Sequence, residues 1–142
     1  MPHNRSLALM YGVNHKMQNT EDLKSAAING IAEFVVKYTR EDITPAQIFN
    51  ETRYLEVREL INENDIELRL METPLLVDDW IKFSEDQRHT PAWIILDENN
   101  KWKIGHVGRD GKISNMKEFN NKLLACAYYI KRFMEFMADK NG

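Results

Sequence analysis

The chain has 142 residues, 43% hydrophobic and 29% charged, with a net charge of -3 and one cysteine. This balance predicts a single folded domain over residues 1–142 with a true apolar core, and excludes disordered, collagen-like and disulfide-stapled classes. The N-terminal apolar run Leu7 to Met10 is too short for a signal-peptide core, and no segment approaches the roughly 20 apolar residues of a membrane span, so a cytoplasmic protein without a membrane partner is expected.

In chain order, the first nineteen residues show little periodicity. Thr20-Glu21-Asp22 then offers a cap and first-turn acids, and Leu23, Ala27, Gly30, Ile31, Phe34, Val35 and Tyr38 recur at spacings of three and four. That pattern predicts a helix from about 21 to 38. Thr44-Pro45-Ala46-Gln47 is a capping box with proline at the first helical position, and it starts a second helix with a break expected near 50–52. Asn62-Glu63-Asn64-Asp65 reads as a polar stop, and the alternation Ile66-Glu67-Leu68-Arg69-Leu70 predicts a half-buried strand. Thr73-Pro74 opens a short helix to about Phe83, with Leu76, Val77, Trp80 and Ile81 inward.

The stretch from Pro91 to Val107 predicts a β-hairpin. Ala92 to Leu96 is apolar, Asp97-Glu98-Asn99-Asn100 is turn chemistry, and Lys101-Trp102-Lys103-Ile104-Gly105-His106-Val107 alternates with Trp102, Ile104 and His106 on one face. Gly108-Arg109-Asp110-Gly111 is another turn, after which Lys112-Ile113-Ser114 adds a brief third strand. Asn115-Met116-Lys117-Glu118 offers a capping box opening a long terminal helix through Phe119, Leu123, Cys126 or Ala127, Ile130, Phe133, Met134 and Met137. The expected fold class is α+β: N-terminal helices, an antiparallel meander over about 92–114, and a C-terminal helix packed on it.

Chemistry-bearing patterns are weak. The four histidines, with His89 and His106 at opposite ends of the hairpin, lack the partners and spacing of a zinc site, so no metal is expected. Cys126 lies in the apolar run Leu123 to Tyr128, where burial raises a thiol pKa and disfavours a nucleophile. Asp78-Asp79 and Glu85-Asp86 are adjacent, so on a helix neither makes a facing carboxylate dyad. Gly105-His106-Val107-Gly108 lacks the strand-to-helix setting of a phosphate loop. No catalytic residue, no cofactor and no enzymatic activity are expected on these grounds.

Charge is distributed unevenly. Residues 56–86 hold ten acids against three bases, whereas 101–142 hold nine bases against four acids. An acidic span can steer a basic partner, which makes Glu63, Asp65, Glu67, Asp78, Asp79, Glu85 and Asp86 candidate partner-binding residues. Tyr54 or Trp80 would supply anchors if either escapes the core, burial being the favoured reading for Trp80. Charge reversal at Glu63, Asp65, Asp78 and Asp79 is expected to slow association and leave the thermal midpoint nearly unchanged. Two other classes remain open. The terminal helix mixes Lys117, Lys122, Lys131 and Arg132 with Tyr128, Tyr129 and Phe133, the composition of a nucleic-acid-binding regulator. A small enzyme would need a concave pocket gathering two titratable groups with perturbed pKa.

The span from Asp79 to Ile95, DWIKFSEDQRHTPAWII, resembles small bacterial immunity proteins of polymorphic and contact-dependent toxin systems. A Trp-bearing helix leads through Ser84 and Arg88 to Thr90-Pro91-Ala92-Trp93, followed by Ile104-Gly105 and the helical Ala125-Cys126-Ala127-Tyr128-Tyr129-Ile130. The likeness covers roughly residues 79–135. It implies a non-enzymatic cytosolic protein that binds one cognate toxin domain and occludes its active site. The acidic span fits a basic toxin, with no direct nucleic-acid partner.

Overall fold

A computed structural model describes residues 5–40, 42–85, 93–99, 101–108 and 110–141, with side chains described from 19 onward apart from 115 and 141. The elements in order are α1 (Arg5–Ala32), α2 (Phe34–Arg40), α3 (Pro45–Thr52), α4 (Tyr54–Val57), a 3-10 turn (Arg58–Leu60), α5 (Glu63–Glu72), α6 (Leu75–Glu85), β1 (Trp93–Glu98), β2 (Lys101–Val107), β3 (Ile113–Phe119) and α7 (Lys122–Asn141). The α+β class holds: helices precede a three-stranded antiparallel meander of order β1-β2-β3, and a long helix follows it.

The first helix begins far earlier than its apolar stripe indicates. Residues 5–19 contain no proline and only Gly12, so nothing stops the helix, and Thr20 sits in its interior instead of capping it. The break at Glu33 has a visible cause. The amides of Val36 and Lys37 both bond to the Glu33 carbonyl, at 3.0 and 3.2 Å, and the freed Ala32 carbonyl accepts from the Trp80 indole at 3.0 Å. A side chain inserted into the helical ladder bends the chain there. Trp80 is fully buried, with Phe34, Phe83 and Phe133 5.6–5.9 Å from it centroid to centroid, so it is the centre of the core and not a surface anchor.

The Thr44 capping box forms as expected, the Thr44 hydroxyl accepting from the Gln47 amide at 3.2 Å. Arg53, at φ 59°, ends α3 in the left-handed region and produces the anticipated break. The expected strand at 66–70 is instead α5. Asn62 and Asp65 cap each other reciprocally at 3.0 Å, so the supposed polar stop is a helix start, and Ile66 and Leu70 meet the core one turn apart.

The hairpin forms, with Glu98 opposite Lys101 and Asn99 at φ 55° in the tight turn. Ile104 is buried against α7, while Trp102 and His106 lie half-buried to either side on the same face. The outer edge of β1 is docked to α6, where the Ser84 hydroxyl accepts from the Ile95 amide at 3.4 Å. The third strand is longer than expected. Residues 115–118 belong to β3 instead of opening a helix: Lys117, Glu118 and Phe119 stand opposite Ile104, Lys103 and Trp102, and the register shifts between Ile104 and His106. The helix is capped later, by the Asn121 side chain accepting from the Leu123 and Leu124 amides at 2.8 and 3.2 Å.

Candidate functional site

The carboxylates of the acidic span separate into two groups. Glu63 binds Arg132 of α7 at 2.6 Å, Asp65 caps α5 and pairs with Lys24 of α1 at 3.5 Å, and Asp78 binds Lys122 at 2.6 Å. These three brace α5 and α6 against their neighbours. Glu56 pairs locally with Arg53, whereas Glu59, Glu67, Glu72, Asp79 and Glu85 make no ion pair with the described residues, and all of these but Glu67 are exposed. Asp86, with His89 and the Thr90-Pro91 part of the resemblance, lies outside the described residues.

Glu67, Glu72 and Asp79 stand near the most exposed large apolar side chains of the described chain. Leu68 is 54%, Met71 58% and Leu75 75% exposed. A groove of roughly 410 Å³ between α1 and α5 runs along one side, with Glu21, Lys24, Ile28, Leu68 and Glu72 among its walls. On the other side lies a trough of roughly 530 Å³ between α2 and α6, lined by Val36, Arg40, Leu75, Leu76 and Asp79. Arg69 separates the two, its guanidinium bonded to Asn29, Thr73 and Glu33.

Tyr54 is fully buried and offers no surface anchor, which corrects the sequence expectation. Its hydroxyl instead joins a polar cluster that ties α4 and the 3-10 turn to α7. Lys131 donates to the Tyr54 oxygen at 2.5 Å and to the Arg58 carbonyl at 3.3 Å, and Tyr54 donates to Glu135 at 2.5 Å. Arg58 grips Glu135 at 2.9 and 3.1 Å and reaches Asp139 at 2.8 Å. Burial lowers the Lys131 pKa against the pull of Glu135 and Glu63. Burial and the Glu135 hydrogen bond push the Tyr54 phenol well above its ordinary value. For Glu135 burial acts upward, yet the bonds from Arg58 and Tyr54 prevail and its pKa is lowered. The cluster was legible in part: Lys131, Glu135 and Asp139 recur every four residues, as do Tyr54 and Arg58.

The cations named for a nucleic-acid surface are engaged internally. Lys117 lies over the Tyr128 ring at 4.7 Å, Lys122 holds Asp78, Lys131 is in the polar cluster, and Arg132 binds Glu63 while stacking on Tyr128 at 4.8 Å. Tyr129 and Phe133 are core residues. Cys126 is fully buried, and burial drives its thiol pKa far upward. His106 packs edge-on against Trp93 at 5.3 Å. Among the described residues no group of three or more His, Cys, Asp or Glu could hold a metal, and no helix is long and apolar enough to cross a membrane.

No protein-family model, curated protein or solved structure matches the chain.

Proposed function

We propose that this chain is an immunity protein that binds a cognate toxin domain and occludes its active site, using the α5–α6 surface against a basic partner. The observation that carries this reading is the set of carboxylates Glu67, Glu72, Asp79 and Glu85, which the described structure leaves without cations while Glu63, Asp65 and Asp78 are consumed in bracing. Unneutralised surface charge of one sign raises encounter rates with an oppositely charged partner and rejects wrong ones. The residues behind the resemblance fit this division of labour. Trp80, Ile104, Ala125, Cys126 and Ala127 are all fully buried, so they define a scaffold and leave partner choice to the surface.

The test is to clone the reading frames beside this chain's gene, find the one whose product arrests growth when expressed alone, and co-express it with this chain. Growth is expected to be restored, with the two proteins recovered as a stable complex. Continued toxicity with the chain folded and present would reject the immunity reading.

A further inference from the structure

The exposed side chains Leu68, Met71 and Leu75 stand between two grooves and beside the free carboxylates Glu67, Glu72 and Asp79. We infer that this strip seats an amphipathic helix of the partner, one whose apolar stripe is bordered by lysine or arginine. The inference rests on the toxin-binding reading and names the element recognised.

Leu68 and Met71 are three apart on one face of α5, and Leu75 opens α6 just past the Thr73-Pro74 junction, so the three exposed side chains cluster around the end of α5 and the start of α6. Large apolar side chains left in water side by side mark an interaction surface more reliably than isolated ones do. The flanking grooves give an incoming helix two furrows for its own ridges, as in helix-in-groove recognition. Charge selects among occupants. In a two-fold contact with a second copy, Glu67, Glu72 and Asp79 would face carboxylates like themselves. Anionic lipid and nucleic acid would be repelled by the same groups. A basic helix satisfies both the apolar strip and a rim on which Glu67, Glu72 and Asp79 outnumber Arg40, the cation of the two grooves without an ion pair among the described residues. The remaining exposed large apolar side chains are less exposed: Leu55 and Leu60 lie near Glu56, which is paired with Arg53, and Ile113 and Met116 on β3 lie beside Gly105 with Lys117 and Glu118 close in sequence.

The probe is a synthetic helix with leucine on one face and lysine on the others, labelled for fluorescence anisotropy and titrated into the full chain. Saturable binding is expected, weakening as salt rises and falling about tenfold or more in the triple variant L68S/M71S/L75S, as loss of a central apolar contact should produce. The variant I113S should bind like the parent. All three substituted positions are exposed, and unchanged thermal melts would show that the triple variant keeps its fold. Hydrogen exchange on the parent protein gives a second readout, with added peptide slowing exchange across residues 66–77. Equal affinity in the triple variant, protection at β3 instead, or self-association abolished by the triple substitution would each overturn the inference. If the triple variant still neutralises the toxin, the strip is wrong and the immunity reading stands. If the peptide occupies the strip but no toxin is neutralised, the immunity reading is wrong and the surface stands.

Discussion

Lys131 is only 9% exposed, yet its ammonium meets a phenol, a carbonyl and the edge of a carboxylate instead of water. Removing one member of such a cluster leaves the others buried and short of partners, and that asymmetry dominates the energetics. Tyr54→Phe keeps the ring that packs near Phe49 and deletes only the hydroxyl, so a loss of about 1–3 kcal/mol in chemical denaturation is expected. An unchanged midpoint would mean the cluster is not stabilising. Glu135 gives the cluster a pH signature. Its folded pKa lies below its unfolded one, so its contribution is complete above the ordinary carboxylate pKa of about 4.3 and is lost as pH falls through the lower folded value. Glu135→Gln should therefore be less stable near neutrality and show a shallower acid limb than the parent. Tyr54 acts at the other extreme. Its raised pKa means that above about pH 10 the unfolded chain ionises first and stability declines.

Among the elements, α5 is held by its Asn62–Asp65 capping box and by the burial of Ile66 and Leu70. Asn62→Ala is expected to lower stability by about 1 kcal/mol, read as a drop in the thermal midpoint. At Gly105 a Cβ would collide with Ile113 Cγ2 and lie 3.4 Å from Met116 Cγ. Gly105→Ala should thus destabilise the β2–β3 pair by about 1–3 kcal/mol, with faster amide exchange confined to β3. The hairpin, the Thr44 cap and the terminal helix were legible because each carries a local signal that its tertiary neighbours reinforce. The strand expected at 66–70 failed through Leu68, which completes an apolar alternation but points into water. The residue that misled the periodicity is thus one proposed here to meet a partner. β3 was foreshortened in the sequence reading because its pairing depends on β2, a contact that no local pattern encodes. The Tyr54–Lys131 contact spans 77 positions and was hidden for the same reason.

At the scale of the molecule, charge serves two purposes that the sequence alone could not separate. The expectation that reversal at Glu63, Asp65, Asp78 and Asp79 spares stability does not survive, since the first three bind Arg132, Lys24 and Lys122 across helices. A stability-neutral probe of docking uses Glu67, Asp79 and Glu85 instead, which have no ion-pair partner among the described residues. The decisive measurement is the association rate of the proposed toxin partner with the parent and with the E67K/D79K/E85K variant, across ionic strength. The account predicts an on-rate about tenfold or more lower for the variant at low salt, converging with the parent as salt screens the surface, at an unchanged thermal midpoint. Equal on-rates at low salt would contradict it.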